Sequence, residues 1–260
     1  MNTIVYHSTN NPSEKVNFET ALMNGMASGY GLYMVSKDQL PRFDMSRIAA
    51  MKGRTYPDIA FQVLSSFLVP EIGEEDLRSL LDDAYREETI PTAVEHVTGK
   101  THIMWLTRGP TYSFKDYAAR FFGRSLNYFL GKRGTRKVVV VATSGDTGGA
   151  GADALWGLNN VDNIVFFPRG SISEGQRRQM TTLQRNVYAF EVNGDFDVCQ
   201  TLAKTLLGDK GFTCDLFGDS ERFTSANSIS VGRLLPQAVY PFYAFSRLPG
   251  DDPFIASVPS

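Results

Sequence analysis

Lys115 stands in the run Gly109-Pro110-Thr111-Tyr112-Ser113-Phe114-Lys115-Asp116, after a Gly-Pro turn and at the head of an apolar helical stretch. A lysine at the mouth of a sheet becomes a nucleophilic amine when desolvation or a nearby positive charge lowers its proton affinity. The plainer alternative is a surface lysine in a helix's first turn. A second run, Ala142-Thr143-Ser144-Gly145-Asp146-Thr147-Gly148, joins a β-branched segment to a helix. Small residues there leave backbone N–H groups free beside three hydroxyls, which suits a carboxylate or a phosphate. The alternative is a simple cap, with Thr143 or Ser144 as N-cap. Asp146 is awkward inside such an anion site unless it is protonated or turned away. No Gly-Lys-Ser/Thr follows, so this is not a Walker loop. A third run, Ser225 to Arg233, carries amide and hydroxyl donors with an arginine six residues beyond Asn227. It suits an oxyanion or phosphate ligand, with a polar helix cap as the alternative. Arg177 and Arg178 read as a solvated helix face.

The elements around these runs alternate. His102 to Leu106 reads as a short strand, Lys115 to Leu130 as a helix packed on a sheet, and Val138 to Ala142 as a strand buried on both faces. A helix to about Gly157, a strand at Ile164 to Phe167, a helix at Ser173 to Gln184, a strand at Val187 to Val192 and a helix at Asp195 to Leu207 follow. Strands alternating with helices predict an α/β fold with a mostly parallel open sheet and flanking helices. Residues 1–95 read as a helical N-terminal region, with helices at Phe18 to Met26, Asp58 to Phe67 and Glu74 to Arg86. Residues 96–260 form the α/β core in this division. Phe254 to Val258 reads as the start of another strand, which leads us to expect a natural chain that continues.

With 26 basic and 28 acidic residues in 260, the net charge is −2. No basic run marks a nucleic-acid partner. No apolar stretch nears the roughly 20 residues of a membrane helix, and the first residues do not form a signal peptide. The two cysteines, Cys199 and Cys214, sit in no C-x-x-C pair, and the three histidines lack zinc-helix spacing. The expectation is a cytoplasmic protein with a small-molecule partner and no metal, monomeric or homodimeric.

The chain resembles the threonine synthases, in their long form, which are pyridoxal-phosphate (PLP) enzymes of the tryptophan-synthase-β type. The resemblance rests on GPTYSFKD (109–116), ATSGDTG (142–148), FPRGSIS with Gln176 (167–176), NGDFD (193–197) and SANSISVGR (225–233), in family order. It implies PLP as cofactor, with Lys115 as the Schiff-base lysine and Asp146 near the cofactor's hydroxyl. It also implies that Thr143, Ser144, Gly145 and Thr147 bind the substrate carboxylate, and that Asn227 and Arg233 help hold the substrate phosphate. The implied reaction turns O-phospho-L-homoserine and water into L-threonine and phosphate. Three positions depart from the family: Arg108 where a histidine is usual, Ser171 where a basic residue is common, and Ser230 where a second asparagine is common. They keep open a related phospho-lyase acting on another phosphorylated amino acid. A catalytically silent homologue or fragment acting as a binding module is the alternative from another class. A further expectation is that these 260 residues alone bind PLP weakly or not at all.

Overall fold

Val138, Val139, Val140 and Val141 form the centre of the molecule's parallel sheet, and their side chains alternate between two layers of helices. A computed structural model describes residues 3–250 and 254–257. Its strands are β1 (Tyr6–Ser8), β2 (Lys15–Val16), β3 (Tyr33–Val35), β4 (Ala93–Thr98), β5 (Thr101–Trp105), β6 (Lys137–Ala142), β7 (Val161–Pro168), β8 (Val187–Val192) and β9 (Phe223–Thr224). Its α-helices are α1 (Phe18–Asn24), α2 (Met45–Ala49), α3 (Tyr56–Leu68), α4 (Glu74–Ala84), α5 (Lys115–Arg133) and α6 (Asp146–Leu155). They continue with α7 (Glu174–Thr181), α8 (Phe196–Gly208), α9 (Lys210–Phe217), α10 (Val231–Leu234) and α11 (Val239–Arg247).

The main sheet has the order β8-β7-β6-β9, and all three pairings are parallel. Val138, Val140 and Phe223 meet Ala203, Leu206 and Leu207 of α8 on one face. Val139 and Val141 point to the other face and join the main core with Phe121, Phe122 and Leu126 of α5. This is the side-chain period of 2 in a strand covered on both sides. Val165 and Phe167 of β7 pack on Ala152 of α6 and Met180 of α7.

The N-terminal part differs from the expected helical region. It contains a three-stranded antiparallel sheet, β2-β1-β3, beside its helices. These strands are two or three residues long, too short for an alternation to show. β5 also departs from its expected place. It pairs antiparallel with β4 in a separate, largely exposed hairpin and stays out of the main sheet. Residues 254–257 form no strand, and Val258 lies outside the described residues.

The main core draws on α1, α3, α4, α5, β6 and α11 together, so it crosses residue 95. Polar contacts reinforce that crossing. Arg120 of α5 is 5 % exposed; its Nε donates to Ala84 O at 2.7 Å and its Nη1 meets Asp153 Oδ2 of α6 at 3.2 Å. Arg124 reaches Asp83 Oδ2 and Ala154 O. Below the start of α5 lies a group of buried tyrosines, in which Tyr56 contacts Tyr85, Tyr117 and Tyr243 edge-on or tilted. Tyr117 and Tyr243 both bond to Thr92. Arg177 and Arg178 pair with Glu174 on an exposed turn of α7, as a solvated helix face should.

Candidate active site at the carboxyl edge of the sheet

The loop before Lys115 is held by the residue after it. The Asp116 carboxylate accepts the Thr111 N–H at 3.0 Å and the Thr111 hydroxyl at 2.5 Å, closing residues 111–116 into a compact loop. Gly109 lies against the same carboxylate; a Cβ there would sit 2.4 Å from Asp116 Oδ2. Asp116 is buried, and that burial pushes its carboxyl above the usual range, with the Thr111 bonds opposing. The loop also holds Tyr112 at φ +58° and 76 % exposed, an unusual conformation for a side chain of that size. Its cost is met by the Asp116 anchor on one side and a Tyr112 N–H bond to Gly109 O on the other.

Lys115 then opens α5 with its side chain 24 % exposed. Its Nζ lies 3.6 Å from Asp146 Oδ2 and 4.9 Å from the centre of the Phe114 ring. The charged group facing the lysine is therefore an acid. The loop that carries this acid follows β6, at the carboxyl end of the sheet, where open α/β folds receive ligands.

Within that loop the hydroxyls divide their work. Thr143 is buried, and its Oγ1 accepts the N–H groups of Gly145 at 3.0 Å and Gly148 at 2.9 Å. It secures the helix start from inside, while Gly145 occupies the cap position itself with no side chain capping it. Gly145 has φ +141°, a backbone state that favours glycine, and a Cβ there would press into the Gln176 amide at 2.4 Å. Ser144 is exposed and Thr147 half-buried, so their hydroxyls remain on the outer side. Asp146 begins α6, where a carboxylate suits the positive end of the helix dipole. It is turned toward Lys115 and Gln176, which answers the objection to an acid inside an anion-receiving turn.

Asn227 and Arg233 follow β9, the strand beside β6. Asn227 is exposed and caps its own turn through the Ile229 N–H at 3.3 Å. Arg233 is 3 % exposed, and its Nη1 donates to Ala226 O at 3.0 Å. Among the described residues its Nε has no partner, and neither does the buried hydroxyl of Ser230. Burial lowers the proton affinity of the Arg233 guanidinium, with Tyr240 opposing. Neither Asn227 nor Arg233 forms a hydrogen bond or ion pair with Lys115 among the described residues.

Two glutamines of α7 complete the arrangement and were not singled out as site residues from sequence. Gln176 Nε2 donates to Asp146 Oδ1 at 2.8 Å. Gln179 Nε2 donates to Thr111 O at 3.2 Å. The pattern Ser173-x-x-Gln176 is a capping box visible in the sequence, but its second role depends on contacts 30 residues away. Arg108 turns instead toward the hairpin, bonded to Glu95 and lying over the Trp105 ring.

A half-buried lysine facing a glycine-rich helix start, at the carboxyl edge of a parallel sheet, places the chain among α/β proteins of the open-sheet class, whose ligand sites lie at that edge. Residues 5–85 match the family model described as threonine synthase N terminus. Threonine synthase of Pseudomonas aeruginosa is 37% identical over 248 residues, covering 94% of this chain and 51% of that protein. The Escherichia coli enzyme is 34% identical over 250 residues, covering 95% of this chain and 56% of its own length. Among solved structures, PLP-bound threonine synthase from Brucella melitensis superposes with a TM-score of 0.85 at 35% identity, covering 94% of this chain and 52% of that one. The yeast enzyme gives 0.83 at 33%, with 94% and 50% covered. This chain is threonine-synthase-like along nearly its whole length, and it spans about half the length of the relatives it matches. Among the described residues, no helix is long and apolar enough to cross a membrane, and no group of three or more metal-ligating side chains occurs.

Proposed function

We propose that this chain carries the lysine-bearing part of a PLP-dependent phospho-lyase, a threonine synthase that converts O-phospho-L-homoserine and water into L-threonine and phosphate. The observation that carries the proposal is Lys115 Nζ at 3.6 Å from Asp146 Oδ2, in the loop after β6. The residues present fit the cofactor. Lys115 offers an amine for its aldehyde, and the Asp146 carboxylate lies beside that amine. Bound there, PLP supplies the electron sink for the reaction.

The protein's share is binding, orientation and proton transfer. Lys115 would hold the cofactor, and its neutral amine would take the proton from the substrate's α-carbon. Asp146, pinned by Gln176, lies beside Lys115 and would meet the cofactor's hydroxyl. Ser144, Gly145 and Thr147 receive the substrate carboxylate through the helix start, and Thr143 stiffens that turn from behind. Asn227 and Arg233 assist with the substrate phosphate, the Arg233 guanidinium being a buried cation with spare donor capacity. The free thiols of Cys199 and Cys214 accord with a reducing, cytoplasmic setting. We take the working form to be a monomer or homodimer.

The test is an absorbance spectrum of the full-length protein with PLP, wild type beside Lys115→Ala, followed by phosphate release from O-phospho-L-homoserine. A cofactor band that Lys115→Ala abolishes, with a rate loss of at least about a thousandfold, is the expected result. Absence of the band in wild type overturns the cofactor assignment. A band with no phosphate release overturns the substrate and leaves another phosphorylated amino acid as the reading to test.

A further inference from the structure

Helix α7 touches both chemistry-bearing loops with one pair of side chains. Gln176 and Gln179 are three residues apart, so they project from one face of the helix. Gln176 bonds the Asp146 carboxylate of the loop after β6, and Gln179 bonds the Thr111 carbonyl of the loop before Lys115. The glycines of α6 bring the two helices together. A Cβ on Gly145 would meet the Gln176 amide at 2.4 Å, one on Gly149 would meet Gln179 Oε1 at 2.7 Å, and one on Gly148 would meet Met180 Sδ at 2.7 Å. The amide of Gln176 thus lies flat on the loop and has little freedom to leave it.

The amide is used at both ends. Gln176 Oε1 accepts the Ser173 N–H at 3.0 Å and the Ser173 hydroxyl at 3.1 Å, while the Gln176 backbone N–H donates to Ser173 Oγ at 3.2 Å. This reciprocal pair fixes the oxygen end, so the nitrogen end must point at Asp146 Oδ1. The other Asp146 oxygen is then left for Lys115. A glutamate would serve the capping box equally well, because the box needs only an acceptor at this position. It could not donate to Asp146. The choice of glutamine over glutamate is explained by the contact with Asp146 and not by the helix cap.

We propose that Gln176 is a positioning residue for Lys115: its amide orients the Asp146 carboxylate that faces the lysine, and Gln179 ties the lysine's own loop to the same helix. The proposal rests on Lys115 being the reactive amine of the site. It extends that reading by adding a contact from α7, an element that does not touch the reacting atoms. Replacing Gln176 with glutamate places a second carboxylate next to Asp146. The added negative charge beside the lysine's acid lowers the reactivity of the Lys115 amine toward an acylating reagent.

The experiment compares wild type, Gln176→Glu and Gln176→Ala in the full-length protein, without cofactor. Each is acetylated with N-hydroxysuccinimide acetate at mildly alkaline pH. The rate at Lys115 is read by peptide mass spectrometry against exposed Lys204 of the same chain. Thermal unfolding is recorded alongside. For Gln176→Glu we expect a midpoint within about 2 °C of wild type, because the cap is kept. Lys115 acetylation should slow by about fivefold relative to Lys204. Gln176→Ala should lose stability and also change the Lys115 rate. A Lys115 rate unchanged in Gln176→Glu, or a change confined to the melting midpoint in both variants, overturns the proposal and leaves Gln176 a helix cap. A parallel arm adds PLP and borohydride to wild type. Failure to trap PLP on Lys115 there overturns the cofactor reading, while the acetylation rates still decide the role of Gln176.

Discussion

Arg120 and Arg233 are both nearly buried arginines, and both donate to a main-chain carbonyl, but only one is closed off. Arg120 bonds Ala84 O and pairs with Asp153, so its charge is met by an acid and the three helices α4, α5 and α6 are joined through it. The Arg233 guanidinium bonds Ala226 O, and among the described residues its Nε and the Ser230 hydroxyl have no partner. For Arg120 and Asp153, burial outweighs pairing in each direction: it lowers the arginine's proton affinity and raises the acid's. A pair of that kind adds little net stability yet is costly to break from one side. A lone buried cation costs stability until an anion arrives. The difference is the one expected between a structural arginine and the anion-holding role proposed for Arg233.

The largest effect expected from breaking this contrast is on stability at Arg120. Arg120→Ala leaves the Asp153 carboxylate buried without its cation and should cost about 3–5 kcal/mol, read in urea or thermal unfolding. A cost under about 1 kcal/mol would show that the lock is not closed. Asp116→Asn comes next, at about 1–3 kcal/mol, because one Thr111 donor loses its acceptor. The pH dependence has a definite sign. Burial raises the Asp116 carboxyl, so the folded chain binds that proton more tightly than the unfolded one. The contribution therefore favours the fold at low pH and is lost as pH rises from the ordinary carboxylate value through the raised one. A stability profile across the acid range should fall less steeply in Asp116→Asn than in wild type. The smallest effect belongs to Arg233→Met, within about 1 kcal/mol of wild type, since it removes an uncompensated charge and one hydrogen bond together. That variant sharpens the comparison through phosphate: adding inorganic phosphate should raise the melting midpoint of wild type and leave Arg233→Met unmoved. Equal shifts in both would remove Arg233 from the anion site.

The parts legible in the sequence were those with a long, regular pattern. The β6 to α8 stretch shows its valine run, its apolar helical stripes and its turn residues in register, and strand β8 begins and ends where the pattern places it. The lysine and the loop after β6 were legible as motifs, and the structure brings Lys115 and Asp146 together. The small sheet β2-β1-β3 was not legible, because two or three residues cannot display a period. The exposed hairpin strand β4, Ala-Val-Glu-His-Val-Thr, mixes apolar and polar residues without a buried face to sort them. Arg233 reads from sequence as a ligand-facing cation; the structure shows it buried, with Nη1 bonded to Ala226 O and Nε without a partner among the described residues. Gln176 and Gln179 could not be assigned from spacing alone, since their partners lie 30 and 68 residues away in sequence.

Helix α5 has a practical consequence. Its first residue is Lys115, and Tyr117, Phe121, Phe122, Leu126, Phe129 and Leu130 along the same helix lie in the main core. The amine and the hydrophobic interior thus belong to one cooperative unit. On heating, the acetylation rate that marks Lys115 in the fold should give way to that of an exposed lysine on the same curve as the near-ultraviolet signal of the buried tyrosines. A preparation of this protein can therefore be assayed for intactness by its lysine as reliably as by its spectrum.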